Sequence, residues 1–144
     1  MKRLVLDISL LAMGLALVSC GDPVVILPSP LVVTNTSVND GGFVDGLKPT
    51  LVFSFNNAVT LASVKSNNAI TIEAVDAGAA NVPSLSVVFP DTAGSATAWQ
   101  TIEVQPTEDL SPATKYVLTM KSSLIKAEDG SRLETDFLFH FQTE

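Results

Sequence analysis

Short segments in which apolar and polar residues alternate recur along most of this chain. In segment 50–55 the apolar residues Leu51, Phe53 and Phe55 occupy every second position. Such alternation is typical of a strand with one buried face. Turn residues separate the segments at regular intervals, which favours a sandwich of two sheets. We therefore predict an all-β fold, a β-sandwich of about seven antiparallel strands at 31–38, 50–55, 69–75, 84–89, 101–106, 115–120 and 136–143.

The connections between these strands carry their own signals. Asp-Gly pairs at 40–41 and 45–46 predict turns. Asn56 and Asn57 interrupt the alternation after Phe55, so we expect the second strand to end before them. Segment 60–66 favours one short helical turn.

The beginning of the chain has a different composition. Lys2 and Arg3 follow Met1, and residues 8–18 carry no charge. A basic end followed by an apolar run of ~7–15 residues is typical of a secretory signal peptide, whereas a membrane-spanning helix needs ~20 apolar residues. Asp7 stands at the front edge of the run and extends its polar head. We predict that residues 1–19 are a cleaved signal peptide.

The single cysteine, Cys20, directly follows this run. The tetrapeptide Leu-Val-Ser-Cys at 17–20 resembles the lipobox of bacterial lipoproteins. The resemblance implies that Cys20 carries a diacylglycerol and that its new amino group takes a further acyl chain such as palmitate. Two or more acyl chains hold a protein stably at a membrane. The alternative is a free cysteine buried in an apolar helix; in either case one thiol forms no internal disulfide.

Three prolines in residues 21–30 favour an extended tether, which would span about 30 Å at ~3.1 Å per residue. Its apolar part, 24–27, could add to a sheet edge or rest against the lipid surface. The chain thus divides into a signal peptide (1–19), a tether with the lipidated Cys20 (20–30) and a sandwich domain (31–144).

The net charge of the chain is −7 at neutral pH. Removal of residues 1–19 takes away two basic residues and one acidic residue, so the mature chain is more acidic still. An acidic protein is repelled by nucleic acid and by anionic lipid surfaces. We therefore expect a membrane contact through the lipid at Cys20, a protein or cell-envelope component as partner, and no nucleic acid.

One stretch is more specific than alternation. The sequence LSPATKY at 110–116 resembles the tyrosine corner of Ig-like sandwiches, in which a strand tyrosine hydrogen-bonds to backbone a few residues upstream. The resemblance implies that Leu110 closes the bottom of the core, Pro112 shapes the corner and Tyr116 locks it. The alternative is a core tyrosine that follows an unrelated turn.

The order of segments around this corner adds to the resemblance. Together with LSPATKY, the stretches TLVFSFNNAVTLASV at 50–64 and LIKAEDGSRLETDFLFHFQTE at 124–144 resemble the bacterial Ig-like domain of the SbsA type, found in surface-layer and other exported bacterial proteins. The resemblance covers roughly 30–144 and departs at Asn56-Asn57 and in the longer segment 76–101. It implies an Ig-like β-sandwich with a structural or interaction role, and it supplies no family-wide catalytic residues.

Residues for catalysis are few. His140, the only histidine, lies between two phenylalanines of one strand, where we expect a half-exposed side chain. There is no Gly-x-Ser-x-Gly motif and no glycine-rich phosphate loop in the sequence. One histidine without a second cysteine excludes an ordinary zinc site. We predict that the protein is not an enzyme and holds no cofactor.

Acidic turns offer the one metal hypothesis. Asp40 and Asp45 lie in neighbouring turns, and Asp129 lies in a third, after Glu128. Calcium takes 6–8 oxygen ligands, and the spacing of these residues matches no EF-hand loop. Aspartate is common in turns without any metal. We therefore predict no metal site and keep the three aspartates as candidates. Paired carboxylates for glycoside hydrolysis are a weaker possibility still.

Trp99 is the only tryptophan, and its position in the alternation is opposite to that of Ile102 and Val104. Its small neighbours would leave it accessible as an anchor for a sugar ring or a protein. A bulge that turns it into the core is the favoured alternative.

These observations predict a small bacterial lipoprotein of the cell envelope. Gly21, not Asp, follows Cys20, which by the sorting rule of enteric bacteria favours the outer membrane, although Asp22 comes one place later. Whether the domain faces the periplasm or the surface is left open. We expect a non-catalytic structural, adhesion or protein-interaction module. The alternative is a carbohydrate- or other ligand-binding module that uses the loop around Trp99.

Overall fold

Two four-stranded sheets form the protein over residues 29–76, 83–90 and 97–144, the part that this computed structural model describes. The first sheet has the strand order β1-β3-β6-β5 and the second has the order β2-β8-β7-β4. The strands are β1 (Val33–Thr36), β2 (Gly42–Val44), β3 (Leu51–Thr60), β4 (Ile70–Ala74), β5 (Leu85–Val88), β6 (Ala98–Pro106), β7 (Lys115–Met120) and β8 (Phe137–Thr143), with a helical turn α1 (Leu61–Val64) after β3. The predicted β-sandwich is confirmed.

The first two strands belong to different sheets. β1 pairs antiparallel with β3, whereas β2 runs parallel to β8, with Gly42 opposite Phe141 and Val44 opposite Thr143. All other strand pairs among the described residues are antiparallel. The first two strands of the domain therefore belong one to each sheet, and the last strand, β8, pairs with the second of them.

Apolar side chains from both sheets interdigitate between them, as the alternation predicted. Phe53 of β3 meets Phe139 of β8 edge to face, with ring centroids 5.3 Å apart and planes at 90°. The ring of Phe137 also lies against Phe53, with 6.2 Å between the ring centroids. Burial of one large apolar side chain contributes about 1.5–3 kcal/mol. The largest fully buried side chains are Phe53, Phe139, Phe141, Leu31, Leu51, Ile72, Ile102, Leu118, Met120, Ile125, Val59 and Val64.

Several strand boundaries differ from the sequence prediction. The single strand expected at 31–38 is shorter, and a separate strand, β2, follows it, which raises the described number from seven to eight. β6 begins at Ala98, three residues before the predicted start at 101. The helical turn predicted within 60–66 is confirmed as α1.

The expected end of the second strand at Asn56 is wrong, because β3 continues to Thr60. Asn56 bonds to the segment just before β1 through its backbone and its side chain. Its N–H donates to the Val32 carbonyl at 3.0 Å, its Oδ1 accepts from the Val32 N–H at 2.8 Å, and its Nδ2 donates to the Pro30 carbonyl at 3.0 Å. The pairing register with β6 shifts between Ser54 and Val59 at this point. The two asparagines therefore mark an irregularity within the strand.

Gly42 is required by a close approach at the start of β2. A Cβ atom at this position would lie 2.8 Å from the carbonyl oxygen of Asn39 and 2.9 Å from Cγ1 of Val38. The Gly42 N–H also donates to that carbonyl at 2.8 Å. The turn into β2 is thus too tight for a side chain.

The assignment of the core predicts a clear contrast between two phenylalanines. Phe53→Ala should lower the free energy of unfolding by about 3–5 kcal/mol, because it leaves a cavity where the sheets meet. Phe43→Ala removes a ring that is 63% exposed, so it should change the free energy of unfolding by less than about 0.5 kcal/mol. Urea denaturation followed by circular dichroism measures both values, and equal losses would contradict this core.

Candidate interaction surface

Tyr116 has the geometry expected of a tyrosine corner. Its hydroxyl oxygen accepts a hydrogen bond from the backbone N–H of Ser111, five residues upstream, at 2.8 Å. The ring is buried and stacks on Phe141 with centroids 5.5 Å apart. Leu110 is buried, and its N–H donates to the Leu47 carbonyl at 2.8 Å. The corner thus connects the turn before β7 to the core.

Thr143 completes this corner, and sequence reasoning missed its role. Its side chain is fully buried, and its hydroxyl donates to the Ser111 carbonyl at 2.7 Å while it accepts from the Thr114 N–H at 3.1 Å. Pro112 itself is exposed, and its carbonyl accepts from the Thr114 hydroxyl at 2.8 Å. These bonds hold Ala113 at a φ of 48°, which non-glycine residues seldom adopt.

Removal of the tyrosine hydroxyl tests this corner. Tyr116→Phe retains the ring but leaves the Ser111 N–H without its acceptor, so the free energy of unfolding should fall by about 1–2 kcal/mol. Thr71→Val is the control, because the described residues offer no hydrogen bond to the Thr71 hydroxyl; its change should stay within about 0.5 kcal/mol. Urea titration measures both variants. A loss in Tyr116→Phe no larger than that of the control would show that the hydroxyl contributes nothing.

Of the three aspartates considered as metal ligands, Asp40 and Asp129 accept hydrogen bonds within the fold and Asp45 is exposed. Asp40 accepts from the backbone N–H of His140 at 2.6 Å, a bond that lowers the pKa of Asp40. Asp129 accepts from the Ser131 N–H at 2.8 Å and from the Asn57 side chain at 2.6 Å, and the Ser131 bonds lower its pKa. Within the described ranges, no three histidine, cysteine or acidic side chains lie close enough together to hold a metal ion.

His140 lies on the outer face of β8, as expected, with 52% of its side chain exposed. Its Nδ1 is 3.2 Å from Oδ1 of Asp40. Among the residues that the structure describes, no hydroxyl group is hydrogen-bonded to its ring. A base that activates a serine would need such a contact, so the geometry supports a role in the turn rather than in catalysis.

Asp136 connects the start of β8 to the turn after β7. Its carboxylate accepts from Lys121 Nζ at 2.9 Å and from the backbone N–H of Ser122 at 2.8 Å. The bond from Lys121, followed by those from Ser122, lowers the pKa of Asp136 to about 2. The ionised form is therefore the one that the folded chain favours.

The lowered pKa of Asp136 predicts that the stability of the fold depends on pH in the acid range. An unfolded aspartate has a pKa of about 3.9, so the bonds of Asp136 stabilise the fold above that pH and are lost as the pH falls toward the folded value. Asp136→Asn should melt at a lower temperature than the unchanged chain at pH 7, and the difference should narrow as the pH falls through this window. Calorimetry across this range measures it, with the exposed Asp45→Asn as control. A difference that stays constant down to the acid end would contradict the account.

Trp99 is exposed, so the favoured prediction that a bulge turns it into the core is wrong. Its side chain is 39% exposed near the start of β6, opposite Val59. The register shift in β3 lies beside it, but this irregularity leaves the indole outside the core. The exposed position retains Trp99 as a candidate ligand contact.

The described surface also carries grooves and exposed apolar side chains. The groove beside α1 and β5 has a volume of ≈ 640 Å³ and is lined by residues 64–68 and 83–88, among others. Two adjoining grooves of ≈ 330 and ≈ 440 Å³ run between β1 and β8 and share Val33, Phe137 and Leu138; together we name them the β1–β8 groove. The exposed large hydrophobic residues are Val32, Phe43, Val75, Val88, Trp99 and Leu138. Sequence reasoning did not identify the β1–β8 groove, because strand pairing alone creates it.

Cys20, the predicted lipid site, lies outside the described residues, as do the signal peptide and nearly all of the tether. Its modification stays a prediction. No helix in the described part of the chain has the length and hydropathy needed to cross a membrane.

Comparison with known families gives one match. The family model described as a bacterial Ig-like domain matches residues 28–143. This range includes every strand described above. The comparison with curated protein sequences gave no match.

Two solved structures of S-layer proteins are similar to this chain. The crystal structure of the S-layer protein rSbsC(31-844) has 16% sequence identity and a TM-score of 0.53, and the match covers 79% of this chain and 14% of that one. The crystal structure of the N-terminal part of the bacterial S-layer protein SbsC has 14% identity and a TM-score of 0.54, covering 81% and 24%. This chain therefore spans less than a quarter of either structure, and at such identities the likeness is one of fold.

Proposed function

The chain belongs to the bacterial Ig-like domain family, and on that basis we propose that it is a non-catalytic structural and protein-interaction module of the bacterial cell envelope. One observation carries the proposal. Two of the acidic candidates, Asp40 and Asp129, hold turns through hydrogen bonds, and other polar side chains of the described residues do the same at turns and strand ends: Asp136, Tyr116 and Thr143. What the domain offers to other molecules is its surface and its strand edges.

Similarity to S-layer proteins supports a structural role. Both similar structures belong to such proteins, and this chain corresponds in fold to a small part of each. A module with its own hydrophobic core is suited to hold a fixed distance or to present a surface.

A lipid anchor at Cys20 would place this module at a membrane. The sequence Leu-Val-Ser-Cys at 17–20 supports it, and Gly21 after the cysteine favours the outer membrane. The described domain begins close by: the Leu31 N–H donates to the Arg132 carbonyl at 3.0 Å. About ten residues therefore separate the lipid from the first fixed point, which would hold the domain near the bilayer.

The anchor predicts a definite mass. The protein purified from bacterial membranes should have the mass of residues 20–144 plus a diacylglycerol and one acyl chain, since the cysteine sulfur and the new amino group are both modified. Cys20→Ala should abolish the modification and the membrane association. Intact-mass spectrometry of both proteins measures this. An unmodified chain that is equally soluble in both versions would contradict the anchor and leave an exported Ig-like domain.

The second candidate function is ligand binding through Trp99, favoured by the exposure of its indole. Trp99→Ala should then abolish binding to a glycan on an array, because a sugar ring stacks on an exposed indole. Val88→Ala, which also shortens an exposed apolar side chain of the first sheet, should leave binding unchanged. If no glycan binds the unchanged protein, this candidate function is wrong.

A further inference from the structure

We propose that the β1–β8 groove receives an extended strand from a protein partner with basic residues at its ends, and that this strand pairs with β8 at Leu138, where the described strands leave its edge open. The inference rests on the proposed interaction role and names its surface. It does not depend on the lipid anchor.

The first argument is the unpaired edge of β8. β7 pairs with β8 from Phe137 to Gln142, but on the opposite side β2 pairs only with residues 141–143. His140 shows which backbone groups face that side: its N–H donates to Asp40, and its carbonyl accepts from the Gly41 N–H at 2.7 Å. In an antiparallel ladder the direction of these groups repeats every second residue. The N–H and C=O of Leu138 therefore also point away from β7, and no strand of the described residues pairs with them.

The second argument is the apolar surface beside this edge. Leu138 is 52% exposed and Val32 is 47% exposed. Val33 and Phe137 line the groove between them. An open strand edge with exposed apolar side chains is a surface that proteins usually protect with charge, bulges or a covering element. An added strand would satisfy the backbone of Leu138 and bury both side chains, which is the mode called β-augmentation.

The third argument is charge, and it selects the occupant. Three acidic residues line the groove, Asp40, Glu134 and Asp136, and none of its lining residues is lysine or arginine. Lys121 pairs with Asp136 and the His140 ring lies beside Asp40, so among the described residues Glu134 is the acidic side chain of the groove with no such partner. A second copy of this chain, whose net charge is −7, would be repelled there. A strand with lysine or arginine at its ends is complementary to the groove.

Two peptides test the pairing and the charge preference together. The first is the acetylated and amidated peptide Lys-Thr-Val-Thr-Val-Thr-Lys, and the second replaces both lysines by glutamate. Each is titrated into the full chain in a mild detergent, and hydrogen exchange of backbone amides is followed by NMR. The lysine peptide should slow exchange of the Leu138 amide by about tenfold, because that amide gains an acceptor. The glutamate peptide should bind at least about fivefold more weakly at low salt.

Two variants separate backbone pairing from charge. Leu138→Pro removes the N–H at the free edge without removing a bond to β7, so it should abolish peptide binding. Leu138→Thr retains the N–H and should retain binding within about threefold. Glu134→Lys should remove the preference for the lysine peptide. Glu73→Lys makes the same charge change at an exposed position of β4 and should leave the preference intact.

Several results would overturn the proposal. One is an unprotected Leu138 amide at millimolar peptide, and another is equal binding of both peptides. Protection that appears without peptide and grows with protein concentration would assign the edge to a second copy. Protection without peptide at every dilution, lost when Val25 and Ile26 are replaced by asparagine, would assign it to the chain's own tether. An unlipidated Cys20 would overturn the proposed anchor and leave this test unaffected.

Discussion

The perpendicular contact of Phe53 with Phe139, at 5.3 Å between ring centroids, joins interior strands of the two sheets. β3 carries β1 and β6 at its sides, and β8 carries β2 and β7. The two remaining described strands lie one position further out, β5 beside β6 and β4 beside β7. Because each sheet alone would expose an apolar face to water, neither is stable without the other. The period-two pattern of the sequence matters because it keeps these rings between the sheets.

The polar groups of the domain serve this arrangement. The inner faces are apolar, so the turns and strand ends must satisfy their own backbone groups. Tyr116 and Thr143 do so at the turn before β7, Asp136 at the turn after it, and Asp40 beside β8. A domain whose titratable groups are used in this way retains its surface and edges for function. That is why we locate the proposed activity at an unpaired strand edge.

The elements that depend on local pattern were predictable, and those that depend on distant partners were not. The phenylalanines of β8 and the helical turn α1 followed from spacing along the chain. β2 was missed because its three residues have too little alternation and gain their stability from parallel pairing with β8, about a hundred residues away. Asn56 looked like a strand end because the sequence does not show that its amide bonds to Val32 and Pro30. Trp99 was assigned to the core on the expectation of a bulge, but β6 keeps the alternation that buries Ile102 and Val104, and the register shift lies in β3 instead. The edge at Leu138 that the described strands leave open is visible only from their pairings, which the sequence does not give.

We expect the core and the tyrosine corner to unfold as one cooperative unit. Native-state hydrogen exchange of the full chain, measured at increasing concentrations of denaturant below the unfolding transition, tests this most directly. The Ser111 amide and the paired amides of β3, β7 and β8 should exchange with the same free energy, equal to that of global unfolding. A Ser111 amide that exchanges through a smaller local opening, while the strands remain protected, would contradict it.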